Sequence, residues 1–460
     1  MENEKITPTI VHAAPSVAEK ETGLLRRLGL FDATMIVMGG IIGSGIFMNP
    51  SVVAKYVQSP LLILGAWIVG GLIALAGAFI YAELAARRPL VGGQYAYLRE
   101  AYHPIVAFLF GWTLFLVSDT GGMAAVGITF ARYFIELTGV PFTDKAVAVS
   151  ALSILTIINC FGVRAGSNVQ NTLMVTKLIA IFMLIGAGIL LFGDSQPKST
   201  ITLDAPISFD LFTTFGAALV PVLFAYGGWQ TANFIAGEIK EPQKNLPRGL
   251  LIGVIGVIVI YLSVNFISVN VLGPQGLAAT STPASEVMRI ALGEKGAKLI
   301  AIGIAISTLG FLSQCVLVAP RVYFAMAADG LFFKKMAWIH PKTCVPVFAI
   351  ALQGLIAIII ALSGTYEEIL SYVVSNDFIF FGLTASCIFV LRCRRTNDNP
   401  DAERFNMPGH PITTSLFIAI CIFVVVNTLY KYPINSLIGF GIILAGIPVY
   451  YFWRWYNKST

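Results

Sequence analysis

Beyond a polar opening stretch, the chain is a succession of long apolar runs separated by short segments that hold most of its charge. Twelve of these runs predict helices, over 31–57, 60–86, 104–136, 146–163, 168–193, 209–238, 247–272, 298–328, 345–363, 366–393, 412–430 and 435–455. The hydrocarbon core of a bilayer is about 30 Å thick and a helix rises about 1.5 Å per residue, so a run of about 20 residues crosses it. A shorter amphipathic stretch at 283–295 predicts a helix lying at the outer surface before the eighth run. The pattern predicts an all-α integral membrane protein with 12 transmembrane helices.

Composition agrees. Of the 460 residues 57% are hydrophobic and 12% charged, against about 25% charged in soluble domains. Residues 1–29 lack an apolar core between a basic start and a small-residue cleavage site, and read as a cytoplasmic tail, not a signal peptide. Most of the 30 Lys and Arg fall in segments on the same side as that tail, among them Arg26, Arg87, Arg88, Lys240, Arg321, Lys334, Arg392 and Arg454. The positive-inside rule then places both termini in the cytoplasm, in a multi-pass cell-membrane protein. The net charge of +6 is accounted for by these loops and calls for no nucleic-acid partner. The six cysteines (Cys160, Cys315, Cys344, Cys387, Cys393, Cys421) and four scattered histidines (His12, His103, His340, His410) suggest no disulfide, metal site or cofactor.

Two runs carry glycine where a helix should not. The first reads GGIIGSGIF, with Gly39, Gly40, Gly43 and Gly45, and the sixth reads FAYGGWQ, with Gly227 and Gly228. Each glycine costs a helix about 1 kcal/mol relative to alanine. One such cluster is equally well explained by close packing of small residues. Two clusters, five helices apart and each at mid-depth, favour paired broken helices that line an enclosed cavity. Because five is odd, helices 1–5 (30–193) and 6–10 (194–395) can be inverted copies, with two accessory helices in 396–460, a pattern of secondary transporters. Half-helix N-termini favour a carboxylate and half-helix C-termini an ammonium, so the pair of breaks suits an α-amino acid.

These residues are recognisable. IIGSGIF (Ile41 to Phe47), FAYGGWQ (Phe224 to Gln230), the run EIKEPQKNLP from Glu238 to Pro247, and the Pro-bounded IHPKTCVP (Ile339 to Pro346) resemble the amino acid, polyamine and organocation transporter superfamily. Within it they are similar to the L-type amino acid transporter family and its bacterial members, over nearly the whole chain from about residue 25. The resemblance implies a 5+5 inverted-repeat core that exchanges amino acids by alternating access. It implies that Gly43, Ser44 and Gly45 bind the substrate carboxylate. The carbonyls of Ile41 and Ile42, and those of the Phe224, Ala225, Tyr226 and Gly227 segment beside Gly228, would receive the amino group, with Phe224 as a gate. Gln230 stands where family members can carry Asn, so side-chain selectivity does not transfer. Mammalian members are linked to a glycoprotein heavy chain through a cysteine in the loop after the third helix. Here that loop, ELTGVPFTDK from Glu136 to Lys145, has none, and a free-standing transporter is expected.

Charges inside the runs add candidates. Lys177 sits near the middle of the fifth helix, where a lysine costs about 2.5–3.5 kcal/mol and needs a partner. The resemblance implies that it occupies the place of a sodium ion in sodium-driven relatives, bridging the first-helix carbonyls to the eighth helix, where Ser307 or Thr308 would supply a hydroxyl. Exchange would then be sodium-independent. Asp119 and Asp377 also fall at mid-depth, as partners for Lys177, caps on a break, or proton-coupling groups. Glu83, Glu238 and Asp329 lie at inner helix ends, where salt links would close an inner gate.

An intramembrane enzyme would show a nucleophile with its base or a metal set, and no such pattern is present. A channel would want a continuous polar stripe or a charged ring. The expectation is an exchanger of neutral L-amino acids, small ones such as alanine or serine. A proton-coupled importer and a polyamine or cationic amino acid carrier stay open as alternatives. Beyond substrate, membrane lipid is the expected surrounding.

Overall fold

Hydrocarbon offers backbone N–H and C=O groups no partner, so a chain that crosses it closes its hydrogen bonds within each segment, as a helix. The computed structural model describes residues 26, 28–161, 163–191, 209–343, 345–363, 366–394 and 405–458. Helices dominate them, and among the described residues the one extended pairing is a parallel bridge between Leu28 and Ile239. Most of the expected tail, the 194–208 stretch that opens the second expected repeat, Cys344, and the 396–404 stretch before the accessory helices lie outside the described residues.

The helices are α1 (Leu30–Ile41), α2 (Gly45–Tyr56), α3 (Pro60–Arg87), α4 (Gln94–Ala101), α5 (Pro104–Thr113), α6 (Asp119–Thr138), α7 (Asp144–Cys160), α8 (Val163–Leu191), α9 (Phe209–Tyr226), α10 (Pro242–Ala279), α11 (Pro283–Val318), α12 (Pro320–Ala328), α13 (Val347–Ser363), α14 (Tyr366–Cys393), α15 (Ile412–Lys431) and α16 (Pro433–Lys458). Proline opens α3, α5, α10, α11 and α12, where its missing N–H costs nothing and its fixed φ is helical. Gly273 and Gly293, both with φ near 70° (69° and 68°), break α10 and α11 where the apolar pattern of the seventh run ends and that of the outer surface stretch gives way to the eighth.

Joined across their breaks, these helices give ten spans long and apolar enough to cross a membrane. Two of the twelve expected runs, the fourth and the ninth, are the 17-residue helices α7 and α13. All-helical architecture with these spans makes the chain a multi-pass membrane protein.

Packing divides the helices into two sets. α1, α2, α3, α9 and α10 pack on one another; α6, α7, α8, α11 and α13 form the second set. The first span is 78% buried, whereas the last two, α15 and α16, are 33% and 28% buried, so they ride on the periphery. Their outward faces carry exposed apolar residues such as Ile412, Ile434 and Leu437, as lipid contact requires.

Candidate functional site

Where the sequence clusters glycine, the helices open. α1 stops at Ile41, Ile42 turns out of helical geometry with ψ 89°, and the Gly43 N–H donates back to the Ile41 carbonyl at 2.9 Å before α2 begins at Gly45. The first N–H groups of α2 have no partner within their own helix. α9 stops at Tyr226. Gly228 then takes φ 99° and leads into short 3₁₀ turns over Trp229–Glu238, interrupted by a kink at Ile235, in keeping with the few residues over which such geometry usually persists.

The two breaks touch. A Cβ added to Gly228 would stand 2.1 Å from the Gly40 carbonyl oxygen, and one added to Gly45 would stand 2.6 Å from the Ala225 Cα. Glycine at these points is what lets the two backbones meet.

Beside the contact lies a cavity whose space, open solvent included, is about 880 Å³. Its wall includes Ile41, Gly43, Ser44 and Gly45 from the first break and Phe224, Ala225, Gly227 and Gly228 from the second. Asp119 and Asp377 complete the expected residues found there. The Ser44 hydroxyl is fully buried on this wall and has no hydrogen-bond partner among the described residues.

The other expected residues stand behind the wall. Lys177 is buried, and its ammonium donates to the Ile42 carbonyl. Among the described residues it forms no ion pair with Asp119 or Asp377. Thr308 spends its hydroxyl on the carbonyls of Ile304 and Ala305 in its own helix, at 3.0 and 2.9 Å, and the buried Ser307 hydroxyl has no partner among the described residues. Tyr226 turns away to pack its ring on Trp67 and Tyr261, with centroids 5.8 and 5.0 Å apart. Trp229 meets Tyr81 edge-on at 4.7 Å, a packing contact.

Several participants escape a reading based on charge and glycine. The Tyr261 hydroxyl on α10 lies 3.0 Å from the Ile41 carbonyl and 3.2 Å from that of Ala225, so one proton serves both breaks in turn. Gln314 donates to the Ile36 carbonyl at 2.8 Å, bracing α1 just before its break. Gln353 on α13 donates to Asp119 Oδ2 at 2.6 Å. A π-helical turn over Leu114–Ser118 immediately precedes Asp119, and such turns are frequent at functional positions. The available signal was an isolated polar side chain in an otherwise apolar run, which fits Gln353 but not Tyr261, with Ser263 and Asn265 close by.

The helix-end carboxylates are all paired. Glu83 accepts from Arg87, Arg392 and the Met407 N–H, Glu238 from Arg321 at 3.1 Å, and Asp329 from Arg99 and Tyr95 at 2.7 Å each. Arg99 lies on the short α4 outside the spans, and although burial lowers its pKa, the neighbouring Asp329 more than offsets this and holds it above its usual value.

Residues 28–453 match the amino acid permease family, a range that takes in both breaks, the cavity and the peripheral helices. The chain is 34% identical over 440 residues to the serine/threonine exchanger SteT of Bacillus subtilis (strain 168), covering 94% of this chain and 98% of that one. It is 31% identical over 442 residues to the large neutral amino acids transporter small subunit 2 of Homo sapiens, covering 93% and 80%. Over 471 residues it is 29% identical to the b(0,+)-type amino acid transporter 1 of Rattus norvegicus, covering 97% and 92%. All three are named for transport or exchange and none for catalysis, in line with setting an enzyme aside. With both broken helices inside the matched range, the chain belongs to the amino acid permease family.

Proposed function

We propose that the protein is a sodium-independent exchanger of neutral L-amino acids, working by alternating access in the plasma membrane with both termini in the cytoplasm. The observation that carries this reading is the meeting of two broken helices at one cavity. The start of α2 offers unpaired N–H groups and the Ser44 hydroxyl to a carboxylate. The ends of α1 and α9 offer carbonyls to an ammonium. Tyr261 already donates to this set, so an arriving amino group would take the Ile41 carbonyl while the tyrosine proton swings to Ala225. Phe224, on the wall, is suited to act as the gate.

In this reading residues 30–193 and 194–395 are the inverted repeats, 396–460 adds two accessory helices, and α7 and α13 complete twelve spans. Lys177 is the resident cation at the Ile42 carbonyl. The names of the relatives, a serine/threonine exchanger and a large neutral amino acids transporter, support the substrate class. The protein works without a disulfide-linked heavy chain. Asp119 and Asp377 on the cavity wall favour one second reading, proton-coupled import.

Counterflow in liposomes separates the two. Amino acid inside should accelerate entry of labelled amino acid with no sodium present. Uptake that needs a sodium gradient, or that outside acid drives into empty liposomes, would overturn the exchanger.

A further inference from the structure

The loop that follows α12 turns two kinds of side chain outward. Just past Asp329, which accepts from Arg99 and Tyr95, it reads GLFFKKMAWIHPK from Gly330 to Lys342, with lysine at 334, 335 and 342 and no acidic residue. A 3₁₀ turn over Lys334–Ala337 sorts these residues by face. Leu331, Phe332 and Met336 are buried, and the Phe332 ring meets that of Phe115 edge-on with centroids 5.4 Å apart. Lys334 and Lys335 are exposed, as are Phe333 and Trp338, at 47% and 50%. Among the described residues no carboxylate pairs with Lys334, Lys335 or Lys342.

The far end of α16 meets this loop. Trp453 lies edge-on to Phe333 at 4.9 Å, and its neighbours Phe452, Arg454 and Trp455 are exposed. From Pro433 to Lys458 this helix carries no acidic residue. Because α16 is a peripheral span, the corner it makes with the loop is open to lipid as well as to water.

Exposed aromatic rings at the end of a span sit at the level of lipid headgroups. A soluble anion would use the lysines and leave the rings in water. A lipid without net charge would use the rings and leave two ammonium groups unmatched. An acidic phospholipid uses both, since each ammonium offers three donors to its phosphate oxygens and the rings meet the upper acyl chain.

We infer that Phe333, Lys334, Lys335 and Trp338, with Trp453 of α16, form a binding site for one acidic phospholipid. The bound lipid ties to the membrane surface the loop that starts at the Arg99–Asp329 link. The exchanger reading supplies only the leaflet, the cytoplasmic one; the site stands apart from what is transported.

The test places the full-length protein in vesicles of phosphatidylcholine and phosphatidylglycerol, mixed in one fixed ratio, with bromine on the acyl chains of one lipid or the other. Bromine quenches nearby tryptophan, and subtracting the signal of Trp338→Phe leaves the share that belongs to Trp338. Brominated phosphatidylglycerol should quench that share at least about threefold more than brominated phosphatidylcholine at equal mole fraction, since each lysine near an anionic headgroup adds attraction. In Lys334→Gln/Lys335→Gln the preference should fall toward one while quenching by brominated phosphatidylcholine persists, which shows that the variant is folded and inserted.

Equal quenching of the wild type by the two lipids would overturn the site, because the ring would then sit in bulk lipid. No quenching by either would overturn it as well, placing the ring away from the bilayer. A preference undiminished in the double variant would mean that other residues hold the headgroup. Loss of the preference on adding inorganic phosphate, but not an equal ionic strength of sodium chloride, would assign the lysines to a soluble anion. None of these readings depends on turnover, so a failure of exchange leaves the lipid site standing and loss of the site leaves the exchanger standing.

Discussion

The carbonyl of Ile42 is where the first helix loses its own hydrogen-bonding pattern, and one ammonium takes its place. A lysine at mid-membrane costs about 2.5–3.5 kcal/mol, and Lys177 is 1% exposed, so water does not share the load. Removing the ammonium leaves a buried carbonyl short of a donor, a loss of about 1–3 kcal/mol. Lys177→Ala is expected to slow exchange by about tenfold or more, the rate equivalent of about 1.4 kcal/mol. The protein should still extract as a single species, since the lysine braces the break and not the packed sets. Counterflow on the purified variant checks this; near-normal turnover would remove Lys177 from the mechanism. Lys177, Asp119 and Asp377 were legible in the sequence because a charge in an apolar run stands out at once. Tyr261 and Gln353 were not, because their importance lies in which carbonyl or carboxylate they face, and that is set by helices distant in sequence.

At the scale of elements, glycine marked both broken helices, and the ends of the long runs fell close to where proline and turns close them. The π turn at Leu114–Ser118 left no such mark. It arises from a shift of hydrogen-bond partner, with the Thr120 hydroxyl reaching Phe115 O at 3.1 Å, and no residue type specifies that shift. Tyr226 lies inside a recognisable motif yet points away from the cavity, because the ring gains more from Trp67 and Tyr261 than from an aqueous wall. The end of α3 offers a test of how elements are tied. The Glu83 side chain is fully buried and accepts from Arg87 at 2.8 Å, Arg392 at 2.7 Å and the Met407 N–H at 2.6 Å. Breaking a buried pair by removing one partner costs about 3–5 kcal/mol, with Arg392 itself partly exposed and so at the lower end. Glu83→Gln should lower the thermal denaturation temperature in detergent. Glu241→Gln, from an exposed pair at 3.6 Å with Lys244, should leave it unchanged. Equal effects would mean that the Glu83 cluster contributes no more than a surface pair.

For the whole molecule, the decisive feature is that the cavity lies between the two packed sets, with its broken helices in one and Asp119 in the other. Alternating access then requires the sets to move against each other while each stays intact. The contacts divide accordingly. Leu28 and Ile239 bridge the start of α1 to the end of the sixth span, within one set. Glu238 and Arg321 join the sixth span to α12, which continues the span begun by α11 of the other set, with side chains 11% and 4% exposed. In the inner-gate role expected of Glu238, this ion pair would part whenever the cavity opens on that face. Paired cysteines at 238 and 321, joined by a linker matched to the span of the ion pair in a background without other cysteines, should therefore abolish exchange. Joining positions 28 and 239 in the same background should leave exchange running, since those residues travel together. Single-cysteine versions treated with the linker show whether modification alone is tolerated. If the cross-set link is harmless while the within-set link blocks turnover, the boundary between moving parts lies elsewhere. The glycine contact between the breaks would then be the hinge and not the rigid joint that the packing of Gly40 on Gly228 supports.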